Sequence, residues 1–65
     1  MTVTVNGSAR ELAAGCTVAE LLLAEGAPEK GIAVALNGTV VPRGRWTAEV
    51  PAGAVVEIVT AVQGG

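Results

Sequence analysis

Side chains able to do chemistry are few in this sequence. It has no His and no Asp, one Cys (Cys16), one Lys (Lys30) and six acids that are all Glu, spread from Glu11 to Glu57. That inventory lacks a His-based triad, an Asp dyad and most metal-ligand sets. Catalysis needs a base, a nucleophile or an electrophile gathered at one place. Scattered Glu residues beside a lone amine and a lone thiol argue against independent catalysis. A single Cys also excludes an internal disulfide. Cys16 stands just before Thr17, where a helix opens, and a helix N-terminus can activate a thiol. The plainer reading makes Cys16 an apolar packing residue near Leu21. It is favoured, because a lone thiol has no resolving partner. The remaining chemical feature is the end, Gln63-Gly64-Gly65. Its reactive group would be the carboxylate of Gly65. Taken alone, such an end reads equally well as a frayed terminus.

With 65 residues the chain is expected to be one domain, 1–65, with 63–65 as a flexible tail. A domain this small buries only about 60% of the surface its unfolded chain exposes. That leaves little room for a cofactor pocket as well as a core, so function belongs on the surface or at a terminus. Half the residues are apolar (51%), too many for a disordered chain, although Trp46 is the sole aromatic. No apolar run approaches the roughly 18 residues of a membrane span. The start, Met1 followed by alternating Thr2-Val3-Thr4-Val5, has no basic n-region or apolar h-region, so a signal peptide is not expected. A cytoplasmic protein is expected. The formal charge is −2 and the bases are Arg10, Lys30, Arg43 and Arg45. That is too few for a phosphate-backbone footprint, which argues against nucleic acid.

The elements that must position these groups are legible. Thr2–Val5 alternates, Asn6-Gly7 signals a type I′ hairpin, and Ala9–Leu12 is expected to return. Thr17-Val18-Ala19-Glu20 fits a capping box, with Cys16 and Leu21 at the two positions of a hydrophobic staple. A helix follows over Val18–Glu25, stopped by Gly26 and Pro28. Ile32–Leu36 is a strand, Asn37-Gly38 a second hairpin signal, and Thr39–Val41 the return. Pro42 lacks an amide donor and ends it. Arg43–Trp46 reads as an irregular or single helical turn, and Pro51–Gly53 as another turn. Val55–Val62 is the most strand-prone run, apolar on both faces apart from Glu57 and Thr60. Such a strand belongs inside a sheet. The first and last strands can lie side by side at its centre. One short helix covering one face of a mixed five-stranded sheet is a two-layer α+β arrangement.

This order is that of the β-grasp, or ubiquitin-like, fold. Several runs resemble the sulfur carriers of thiamine biosynthesis: Val5-Asn6-Gly7, Thr17–Leu22, Ala33–Gly38, Val41-Pro42-Arg43 with Trp46, Gly53, Val56–Val62 and Gly64-Gly65. The resemblance covers essentially the whole chain. Gln63 stands where the family often has a third glycine, and Ala54 where it often has Asp. The resemblance implies that Gly65 is the working residue and that Gly64 and Gln63 enter partner channels. It implies no cofactor bound by the chain itself. A separate ubiquitin-activating-like adenylyltransferase would use ATP to adenylate the terminal carboxylate. A cysteine desulfurase or related persulfide enzyme would supply sulfur, giving a thiocarboxylate. Thiazole synthase would consume it. Glycine suits such a tip, because it leaves a narrow channel unobstructed and adopts conformations closed to other residues.

Arg43 and Arg45, beside Trp46, are candidate partner contacts, since Arg and Trp are enriched at interface hot spots. Trp46 itself is expected to cover the small core. Glu57 is a further candidate contact, or a mark of the strand's solvent face. Three competing functions follow from the same features. One is the small subunit of molybdopterin synthase or another thiocarboxylate carrier; shortness, Trp46 after Pro42-Arg43 and the Glu57-Ile58-Val59 ending favour the thiamine type. Another is a protein modifier joined to lysines through Gly65. The last is a plain β-grasp interaction module, in which Gly64 and Gly65 would be dispensable.

Overall fold

The computed structural model describes residues 1–28 and 30–60. Five strands and one α-helix appear in chain order: β1 (Thr2–Val5), β2 (Ser8–Glu11), α1 (Val18–Ala24), β3 (Ile32–Leu36), β4 (Thr39–Val41) and β5 (Val55–Thr60), with a 3-10 turn at Arg43–Arg45. They form one sheet in the order β2-β1-β5-β3-β4. β1 and β5 run parallel, and the other neighbours are antiparallel.

Both Asn-Gly pairs make the expected turns. Asn6 and Gly7 have φ of 48° and 83°, and Asn37 and Gly38 have 49° and 84°. Positive φ at both central positions is what a type I′ turn requires. A two-residue loop fixes the pairing on either side, Val5 with Ser8 and Leu36 with Thr39. The second strand therefore starts at Ser8, one residue before the expected Ala9. Leu12 leaves the strand, although its N–H still donates to the Met1 carbonyl at 2.7 Å.

The capping box is complete. Thr17 Oγ1 accepts from the Glu20 N–H at 3.2 Å, and Glu20 Oε1 accepts from the Thr17 N–H at 2.8 Å. The helix ends one residue earlier than the sequence suggests. Glu25 is the cap, and Gly26 follows at φ 71°. The Ala27 N–H reaches the Leu22 carbonyl at 3.0 Å and the Gly26 N–H the Leu23 carbonyl at 3.1 Å. This is a Schellman closure, which glycine at positive φ makes possible.

Helix α1 lies on one face of the sheet. The buried core comprises Val3, Val5, Val18, Leu21, Leu22, Val34, Val50, Ala54 and Val56. Val50 and Ala54 come from the irregular stretch before β5, where no periodicity marks them. That stretch is laced to the helix start: the Val50 N–H donates to the Cys16 carbonyl at 2.8 Å, and Thr17 bridges Glu49. β5 is the middle strand, as its composition suggests. Val56 and Ile58 point toward the helix side, while Val55, Glu57 and Val59 lie on the other face and are exposed. One seven-residue helix covers one face only. The expected continuation of β5 through Val62 and the tail at Gln63–Gly65 lie outside the described residues.

Candidate functional site

Strand β5 is the last described element before the C-terminal residue Gly65, so whatever holds β5 sets where the chain leaves the described fold. Toward β3 it is paired from Val56 opposite Leu36 to Thr60 opposite Ile32. Its start is also tied by Asn37, whose N–H donates to the Val55 carbonyl at 2.8 Å and whose Oδ1 accepts the Val55 N–H at 2.9 Å. Toward β1 the backbone ladder is short. The Thr4 N–H donates to Ala54 and the Asn6 N–H to Val56, both at 2.9 Å, and there β1 turns away. The Asn6 carboxamide then continues where the backbone stops. Its Oδ1 accepts the Ile58 N–H at 2.8 Å and its Nδ2 donates to the Ile58 carbonyl at 3.2 Å. Read from sequence, Asn6 and Asn37 are turn residues alone. Their one hint of more is that Asn, unlike Gly, brings both a donor and an acceptor to such a turn.

Gly65, Gly64 and Gln63 lie outside the described residues. Glu57 is exposed on the uncovered sheet face, in a shallow depression with Ala33, Ala35, Val40 and Val59. That face is unusually apolar for solvent: Val40 is 67% exposed and Val59 60%. Arg43 is elsewhere. Its guanidinium stacks over Trp46, 5.1 Å from the ring centroid, a cation–π contact. Trp46 is half-buried against the core and its Nε1 donates to the Val41 carbonyl at 3.2 Å. Arg43 and Trp46 line an open groove with Ala19, Leu22, Leu23 and Pro28. Arg45 is exposed in the 3-10 turn. The depression beside Glu57 and the groove beside Arg43 share no lining residue. The candidate contacts therefore divide between two surfaces.

Cys16 is half-buried against the core, and its Sγ donates to the Thr17 carbonyl at 3.5 Å. The first-turn amides nearby are occupied. Val18 donates to Ala48 at 3.0 Å, Ala19 to Trp46 at 2.9 Å, and Glu20 to Thr17. No free first-turn donors remain to stabilise a thiolate. The packing reading of Cys16 is the one this geometry favours. Among the described residues, no three His, Cys, Asp or Glu groups gather where they could hold a metal ion. No helix among them is long and apolar enough to cross a membrane.

Comparison with known proteins agrees with this architecture. The ThiS family model matches residues 3–65. A crystal structure of the thiamine biosynthesis protein (ThiS) from Geobacter metallireducens is 33% identical, covers 100% of both chains and superposes with a TM-score of 0.80. A solution NMR structure of a thiamine biosynthesis protein from the same organism is 32% identical, with a TM-score of 0.77 over 100% of this chain and 88% of that one. No curated protein sequence matches significantly. The full-length agreement in sequence and fold places the chain in the ThiS family, the ubiquitin-like β-grasp sulfur carriers of thiamine biosynthesis, which are acted upon by enzymes rather than being enzymes themselves.

Proposed function

We propose that the C-terminal carboxylate of Gly65 is the group that carries sulfur, with Gly64 and Gln63 as the stem that enters partner sites. The observation that carries this reading is the family match through residue 65, on a chain whose central strand runs toward that end. A free carboxylate is a poor electrophile. Adenylation by a separate ATP-dependent, ubiquitin-activating-like enzyme converts it to a mixed anhydride with AMP as leaving group. The terminal sulfur of a persulfide, held on a cysteine desulfurase or related donor, attacks the carbonyl carbon and expels AMP. A thiol must then cleave the resulting S–S bond to free the thiocarboxylate, which thiazole synthase consumes. The chain needs no cofactor of its own for these steps, and the cytoplasm is where they are placed.

Each partner must grip the domain as well as its tip. The exposed Val59 on β5 and Val40 on β4 form an apolar surface around Glu57 on the uncovered sheet face, and contiguous apolar surface marks contact sites. Glu57 supplies that surface with a charge for a basic partner group. Arg43, at the groove beside Trp46, and Arg45, exposed in the 3-10 turn, offer further cationic contacts.

Intact-protein mass spectrometry tests the central assignment. The chain, incubated with its activating enzyme, ATP and a sulfur donor, should gain a species with one oxygen replaced by sulfur, and fragmentation should map it to Gly65. A chain that stays unmodified, or one that forms lysine adducts through Gly65, would overturn the carrier assignment.

A further inference from the structure

We infer that Asn6 is a positioning residue for the loading reaction, holding the root of the tail through Ile58. The inference rests on the carrier role proposed for Gly65.

β5 extends further than β1 does. The last backbone bond between them is the Asn6 N–H to Val56, after which the chain reverses through the Asn6-Gly7 turn. Residues 54, 56 and 58 present their backbone groups to the β1 side. Beyond Val56 that side would face water. The Asn6 carboxamide fills this gap by offering a C=O and an N–H to the N–H and C=O of Ile58. It acts as one more peptide unit of β1 and carries the parallel ladder two residues further along β5. The contact spans 52 residues of sequence, so no local requirement of the hairpin explains it. Burial does not explain it either, because Asn6 is exposed. The turn would accept Gly or Asp at this positive φ. Asn alone among the three supplies both the donor and the acceptor that Ile58 uses.

Gly65 lies seven residues beyond Ile58, a reach of at most about 25 Å. Within that reach, the direction of take-off decides how often the tip meets a narrow site. With Asn6 in place, β5 is gripped on both sides up to Ile58. Without it, the segment from Ile58 onward is held by β3 alone, and more freedom must be surrendered when the tail enters a partner.

Asn6→Gly is the direct test, since glycine takes the turn conformation freely and removes only the carboxamide. Hydrogen exchange should show the Ile58 amide speeding up by about tenfold relative to that of Val59, which pairs with β3 and should stay protected. In loading assays with the activating enzyme, ATP and sulfur donor, KM for the carrier should rise by about two- to tenfold while kcat at saturation stays within about twofold. Equal acceleration at Ile58 and Val59 would reveal general loosening and overturn the inference. So would an unchanged KM beside a wild-type chain that loads normally, leaving the carrier reading intact. A wild-type chain that accepts no sulfur would overturn both readings together. If Asn6→Gly does not fold, Asn6→Asp carries the test. It keeps the turn and the acceptor but loses the donor, and it should show the same KM rise in weaker form.

Discussion

At the scale of single residues, polar side chains here finish what the backbone leaves open. Asn6, Asn37, Thr17 and Glu20 each bond to backbone groups that regular structure does not pair. Glu11 does similar work at the far edge of the sheet. It accepts a hydrogen bond from Thr2 Oγ1, and the Met1 amino group lies 3.6 Å from its Oε2. These contacts, the Thr2 bond first and the amino-group charge second, hold its carboxyl below the ordinary 4.5. A depressed folded value means that the folded chain favours the ionised form. That contribution is present above 4.5 and is lost as pH falls through the depressed value. Because the group is fully exposed, the effect is small and screened by salt. Melting temperatures at low salt should show wild type ahead of Glu11→Gln at neutral pH, the two converging as the solution is acidified. A gap that stays constant with pH would refute this. The capping box was readable because Thr and Glu at that spacing have a local geometric meaning. The second role of Asn6 was not, since its partner is 52 residues away.

At the scale of elements, α1 has two unlike faces. Leu21 is fully buried, whereas Leu23 is 77% exposed beside the Trp46 groove. A buried Leu→Ala change costs about 2–5 kcal/mol, comparable to the few kcal/mol a core this small supplies. Leu21→Ala should therefore leave the chain largely unfolded in denaturant titrations. Leu23→Ala should shift stability by no more than about 0.5 kcal/mol. Similar losses for both would mean that the helix packs differently. Helical spacing foretold an apolar stripe, and Leu21 and Leu22 are its buried part. Val18 belongs to that buried stripe as well, and Leu23, off its spacing, is exposed. β5 was less legible. Its valines read as apolar on both faces, yet a single helix leaves Val55 and Val59 in solvent.

At the scale of the whole molecule, the carrier role proposed for Gly65 makes the domain the support and the tip the reagent. Deleting Gly65 should leave the circular dichroism spectrum and melting behaviour unchanged while abolishing thiocarboxylate formation. Cys16→Ser should retain loading, since its thiol faces the Thr17 carbonyl beside a helix start with occupied amides. Loss of fold in the first variant, or of loading in the second, would reverse these assignments. The resemblance to the sulfur carriers, with its Gly-Gly terminus, rested on runs matched over the whole chain; what the sequence determined by itself was everything written in local spacing: the two Asn-Gly hairpins, the capped helix and the β-rich end. Those features depend on neighbours within a few residues, so backbone sterics and hydrogen-bond reach suffice to read them. Tertiary structure alone decided that Val50 and Ala54 complete the core, that one face of β5 is left in solvent, and that Glu57 and Arg43 face different surfaces. It also brought Asn6 to Ile58. Each of these follows from closing the chain over long separations, where many pairings satisfy the same local pattern and packing of the whole selects one.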